Sequence, residues 1–282
     1  VSPDQFLLLF VAALAAGALG SALGMAGGIF IVPILTLFAG APFPVAVAVS
    51  LLSVIACSCA SASPFLAAGL TNLRLAVVLE VATALGALVG ILMIGMFPPR
   101  ILFAIFAAVL VASAIQMLLG RRPPPPLPSA GADRRLRLAS SYTEHGGTTV
   151  AYRVSRVPLG LSFMFGAGLL SALLGIGSGV LKIPAMDAAM RLPLKVSSAT
   201  ANLTIGVTAC GAAAAYLLAG NVDLTLTTPI VLGSLAGAVI GARALVRMAG
   251  PGLRIAFVVV LLGLAIPMTS SAFGLTDLGG VS

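Results

Sequence analysis

The sequence predicts an all-α integral membrane protein. It is expected to consist of two inverted-topology repeats of about five helical segments each, with some helices short or re-entrant and broken at glycine. Three observations lead there. The chain is 282 residues long, 60% hydrophobic and only 8% charged, with a mean hydropathy of +1.19. A soluble domain carries roughly 25% charged residues, so this chain cannot clothe a globular surface and belongs in a lipid bilayer. Apolar runs recur along it, and its second half repeats its first.

The runs fall at 5–24, 29–40, 43–67, 73–96 and 100–120, then at 158–175, 180–190, 194–219, 224–247 and 252–273. They divide the chain into a first membrane repeat (1–120), a polar linker (121–157) and a second membrane repeat (158–282). The opening run lacks a basic start and leads straight into a glycine motif, so it reads as structural rather than as a removable signal. A spanning helix needs about 20 apolar residues. The runs 29–40 and 180–190 are too short to cross upright, and both follow a glycine cluster. Re-entrant half-helices and short tilted spans both fit them. Thirty-two glycines and no tryptophan suit transmembrane helices that pack backbone to backbone.

A shift of 151 residues with no gap relates the halves. It lays Gly24 on Gly175, Gly28 on Gly179, Pro33 on Pro184, Pro42 on Pro193 and Cys59 on Cys210. Further along, Gly69 falls on Gly220, Asn72 on Asp223, Gly86 on Gly237 and Gly90 on Gly241. Matched prolines and a matched cysteine mark a real internal repeat.

Basic residues set the orientation. The linker carries seven arginines against Asp133 and Glu144, and the positive-inside rule makes it cytoplasmic. If the second repeat is inverted, Arg191, Lys195, Arg243, Arg247 and Arg254 also fall inside, leaving Arg100 outside; a parallel repeat would put those five outside. Inversion is therefore expected, with an odd number of crossings per half and both termini on the periplasmic side. Within the linker, "RRPPPPLPSAGAD" reads as a polyproline-like spacer. The segment "RLRLASSYTEHGGTTVAYRVSR" alternates on either side of Gly146-Gly147, which predicts a small β-hairpin. The net charge of +8 sits in loops beside apolar spans, so it reports membrane topology and not a nucleic-acid partner.

Chemistry concentrates at the two glycine clusters, Gly24, Gly27 and Gly28 and their counterparts Gly175, Gly177 and Gly179. Irregular backbone at membrane depth is tolerated only where it is buried in protein or lines a cavity. Two such breaks at matching positions of two halves are a pointer to a transporter binding site. The helices that begin after them present free N–H groups and a partial positive charge to an anion. Lys182, in the first turn of the second, adds a full charge. The alternative is that the glycines merely allow close helix packing.

The stretch "GMAGGIFIVPILTLFAGAPFPVAVAVSLLSV" resembles the first signature of the TauE/SafE sulfite-exporter family, the TSUP permeases. "GIGSGVLKIPAMDAAMRLPLKVSSATANLTI" resembles its second. The likeness covers nearly the whole chain except the linker. The glycine run is diluted to Ala26 and Ser178, and "SATANL" stands where a Thr-Ser pair is common. The resemblance implies a multi-helix permease in a bacterial inner membrane that moves sulfite, thiosulfate or organosulfonates, usually outward.

Further candidates follow from position. Ser50, Ser53, Thr200, Asn202 and Thr204 lie a turn or so into the third helix of each half, where hydroxyls and an amide can donate to oxyanion oxygens or bond neighbouring helices. Glu80 is an acid inside an unbroken apolar span, so proton coupling is its natural role; pairing with Arg74 near the interface is the alternative. Cys59 and Cys210 are repeat mates that line the pathway or act as small inert hydrophobes. Cys57 lies two residues before the first. No metal centre or nucleotide site is expected: the one histidine lies in the linker, and "GIGSG" lacks the Gly-Lys-Ser/Thr ending of a phosphate loop. The reading is a secondary transporter with no cofactor, whose partners are a small sulfur-containing anion, lipid and a coupling proton. Import of thiosulfate or sulfite, carriage of another small anion, a channel, and a cysteine-using membrane enzyme or assembly factor are the rivals. Oligomeric state is left open.

Overall fold

The computed structural model describes residues 3–93, 96, 99–118, 138–143, 149–174, 178–247 and scattered positions between 252 and 269. Gly175, Gly177, the proline-rich spacer and most of the 252–273 run lie outside the described residues. The elements in chain order are α1 (Pro3–Leu23), α2 (Gly28–Phe38), α3 (Phe43–Ala67), α4 (Leu73–Leu92), α5 (Pro99–Leu118), β1 (Ser140–Thr143), β2 (Thr149–Tyr152), α6 (Val157–Leu174), α7 (Gly179–Ala188), α8 (Leu194–Leu218) and α9 (Leu224–Arg247). Five of these helices, α1, α3, α4, α8 and α9, are long and apolar enough to cross a membrane. Large apolar side chains on α1, α4 and α9, such as Leu8, Leu88, Leu92 and Ile240, point outward. That is the surface lipid requires, and the protein is an all-α, multi-pass membrane protein.

The 151-residue shift reappears in the backbone. Pro42 and Pro193, both extended, precede α3 and α8. Those two helices end in the same way: Gly69 and Gly220 adopt φ of +65° and +75°, the left-handed geometry glycine supplies at a helix end. Leu70 N–H then donates to Phe65 O and Asn221 N–H to Tyr216 O, each at 3.1 Å. After the turn, Asn72 caps α4 by accepting from Leu75 N–H at 3.1 Å, and Asp223 accepts from Thr225 N–H at 2.8 Å at the start of α9. The short helices α2 and α7 hold 11 and 10 residues. At 1.5 Å per residue they are about 16 Å long, half the roughly 30 Å hydrocarbon core.

The halves exchange helices. The first helix of one half packs on the fourth of the other: α1 lies along α9, and α6 along α4. Close approach is achieved at glycines. A Cβ on Gly237 would sit 2.1 Å from Leu14 O, and one on its mate Gly86 would sit 2.0 Å from Phe165 O. The next turns repeat the match, Gly241 on Ala18 O and Gly90 on Leu169 O. Since both numbers rise together, α1 runs parallel to α9 and α4 parallel to α6. Two four-helix groups result. One contains α1, α2, α3 and α9; the other contains α6, α7, α8 and α4. They meet chiefly where α3 crosses α8.

The linker strands pair antiparallel, Ser140 opposite Tyr152 and Thr143 opposite Thr149, on either side of Gly146-Gly147. The hairpin buries Leu138, Tyr142, Tyr152 and Val154. It is fastened at two points. Asn72 Nδ2 donates to Leu138 O at 2.9 Å and to the Tyr152 hydroxyl at 3.2 Å, and both Ser155 N–H and Oγ–H donate to Met190 O. Burial pushes the Tyr152 phenol above its ordinary pKa, opposed by its hydrogen bonds with Asn72 and Ser140.

Candidate functional site

The first break begins where α1 ends. Gly24 has φ of +80°, and a Cβ there would lie 2.6 Å from the Cα of Ser198 on α8. Its N–H donates to Ser21 O at 3.2 Å. Ala26 and Gly27 follow at φ of +53° and +73°, so three of four successive residues take the left-handed conformation. Gly27 precedes α2 without any side-chain cap. The second break, at Ser178 and Gly179, sits on the first: a Cβ on Gly179 would lie 2.9 Å from Met25 Cα and 3.1 Å from Gly24 O. The two helix starts thus meet at one place, with Ser198 against them.

Hydroxyls crowd that place without mutual partners. Ser21, Ser178, Ser197 and Ser198 are buried, and their Oγ atoms have no hydrogen-bond partner among the described residues. Asn202, one turn beyond Ser198, donates from Nδ2 to Ser61 Oγ at 2.5 Å, while its Oδ1 has no partner. A buried polar atom left unpaired costs about 1–3 kcal/mol. Among the other sequence candidates, Ser50 donates to Gly28 O at 2.9 Å and steadies the start of α2. Thr200 accepts from Asn72 N–H at 3.2 Å. Ser53 donates to Ser234 Oγ at 2.7 Å, joining α3 to α9.

Lys182 is buried and fully engaged. Its Nζ donates to Glu80 Oε2 at 2.9 Å, Thr204 Oγ1 at 3.1 Å and Thr208 Oγ1 at 3.0 Å. Thr208 in turn donates to Glu80 Oε1 at 2.6 Å. The side chains of Lys182 and Glu80 are 1% and 12% exposed. All three ammonium protons are used, and the acid's printed partners are Lys182 and Thr208, not Arg74. This pair ties α7 to α4 through α8. At the matching positions of the first half stand Ile31 and Val231, with Ser53 and Cys57 for the two threonines.

The cysteines do not gather. Cys57 is buried and donates to Ser234 O at 3.3 Å; Cys59 and Cys210 are exposed. No group of three or more His, Cys, Asp or Glu side chains placed to hold a metal occurs among the described residues. Sequence reasoning missed Ser21, Ser197, Ser198 and Thr208. Thr208 was within reach, since it follows Thr204 by one helical turn. The serines become visible only when the breaks are seen to cross.

A family model described as "Sulfite exporter TauE/SafE" matches residues 9–268, nearly the whole chain. The chain belongs to the TauE/SafE family. Two relatives within reach of that family's pattern come from Bacillus subtilis (strain 168). The "Probable membrane transporter protein YunE" is 24% identical over 84% of this chain and 88% of its own length. The "Probable membrane transporter protein YdhB" is 25% identical over 78% and 82%. No solved structure matches. The TauE/SafE assignment makes this chain a membrane transporter, and its site is the paired break just described.

Proposed function

We propose that the chain is a secondary transporter that exports small sulfur-containing oxyanions such as sulfite or organosulfonates by alternating access. The observation that carries this is the meeting of the two glycine breaks at Gly24 and Gly179, ringed by buried hydroxyls that lack partners. Helix N-termini there supply N–H groups and positive potential. Gly24, Gly27, Gly28, Gly175, Gly177 and Gly179 let the backbone approach the anion, with Ser50, Ser53, Thr200, Asn202 and Thr204 shaping the walls. Lys182 serves through Glu80, which takes the coupling proton. Inversion of the repeats is supported by the parallel course of α1 and α9: antiparallel neighbours would follow if the fourth helices of both halves ran the same way. The linker faces the cytoplasm in this reading, and the cysteines play no chemical part.

Efflux of labelled sulfite from proteoliposomes tests the reading. Saturable efflux competed by other small sulfur oxyanions is expected, and measurement from each side fixes the direction. Transport indifferent to every sulfur oxyanion would refute it.

A further inference from the structure

Asn202 holds an atom whose needs are chemically unambiguous. A serine hydroxyl can donate or accept, so Ser21, Ser178 and Ser198 could turn to suit many occupants. An amide oxygen can only accept. The orientation of this amide follows from its neighbours. Ser61 Oγ spends its proton on Cys57 O at 2.7 Å, so the Asn202 atom facing it at 2.5 Å must be the donating Nδ2. Oδ1 is the end left over, buried and without a partner among the described residues. The nearby charge cannot serve it, because each proton of Lys182 already has an acceptor.

An ordinary oxyanion would press lone pairs against this oxygen. From this juxtaposition we infer that the site selects an oxyanion that keeps one proton, a hydrogensulfite-like monoanion whose O–H donates to Asn202 Oδ1 while serine hydroxyls and helix N–H groups serve its other oxygens. The inference rests on the anion-site reading above. It makes Asn202 a specificity determinant: a buried acceptor discriminates against a ligand that lacks the donor, because that ligand leaves the acceptor unpaired. The first half cannot do the same, since Leu51 stands at the matching position.

The experiment compares two monoanions, hydrogensulfite and methanesulfonate, as competitors for binding to the purified full chain at one pH below neutrality. The wild type is expected to favour hydrogensulfite by about tenfold or more. Asn202→Leu is expected to bring the ratio near one by weakening hydrogensulfite alone, while Ser61→Ala, which leaves Oδ1 in place, keeps the preference. Equal binding of both anions by the wild type would overturn the inference yet leave the anion site standing. A preference that survives Asn202→Leu would trace it to the methyl group's bulk and overturn the inference too. Binding of neither anion would defeat the anion-site reading itself. If Asn202→Leu does not fold, the wild-type preference is measured again as pH rises. Binding must then fall as hydrogensulfite gives way to the dianion, and binding that holds steady counts against the inference.

Discussion

Lys182 and Glu80 show how an intramembrane charge is kept at bearable cost. Each supplies the other's counter-charge, and two threonine hydroxyls complete the ring. Removing one partner strands the other, a loss of about 3–5 kcal/mol for a buried pair. Glu80→Gln and Lys182→Met are therefore each expected to lower the thermal midpoint of the purified protein sharply. The double variant Glu80→Val/Lys182→Ile, which installs the residues of the first half, is expected to recover most of that stability while transport loses its pH dependence. Recovery with an unchanged pH profile would remove Glu80 from coupling. Close by, Gly24→Ala forces a Cβ against the Ser198 backbone, and a cost of about 3 kcal/mol is expected. Ala26, already left-handed at φ of +53°, is expected to accept glycine with no loss of melting temperature.

Among the elements, α4 and α9 differ at their caps. Asn72 is buried under the linker hairpin, whereas Asp223 is exposed, its carboxyl drawn below the usual range by the Thr225 hydroxyl and amide. A depressed pKa contributes stability above the ordinary carboxylate range and loses it as pH falls through the lower folded value. Asp223→Asn is expected to flatten that acid-side decline in a melting series, and Asp223→Ala to cost about 1 kcal/mol at neutral pH. Much at this scale was legible beforehand. The apolar runs at 43–67 and 194–219 became α3 and α8, because proline before and glycine after mark such ends in sequence. The alternation around Gly146-Gly147 became β1 and β2. The meeting of Gly24 with Gly179 was not legible, since periodicity says which face is apolar but not which helix covers it. For the same reason Glu80 could be flagged as an acid in the membrane, yet its partner lies 102 residues away on α7.

For the whole molecule, the exchange of α1 and α6 between halves determines what can move. A sequence repeat is not a rigid unit here, because α1 is glued to α9 and α6 to α4 through glycine contacts. The joint between the two groups is the crossing of α3 and α8, where Ser58 Oγ donates to Asn202 O at 2.6 Å. Disulfide trapping in a background lacking the native cysteines separates the possibilities. Ser53→Cys with Ser234→Cys staples α3 to α9 inside one group and is expected to leave transport intact. Ser58→Cys with Gly206→Cys staples α3 to α8 and is expected to arrest it until reductant is added. Arrest by the first pair and not the second would place the moving joint elsewhere. The single ion pair has a consequence at this scale too. Two identical halves trading places would give a carrier two orientations of equal energy, and an empty carrier would idle evenly between them. Lys182 and Glu80 exist in one half only, with Ile31 and Val231 in the other, so that degeneracy is lifted. The carrier has a preferred resting side, built into its ground state before any gradient acts on it.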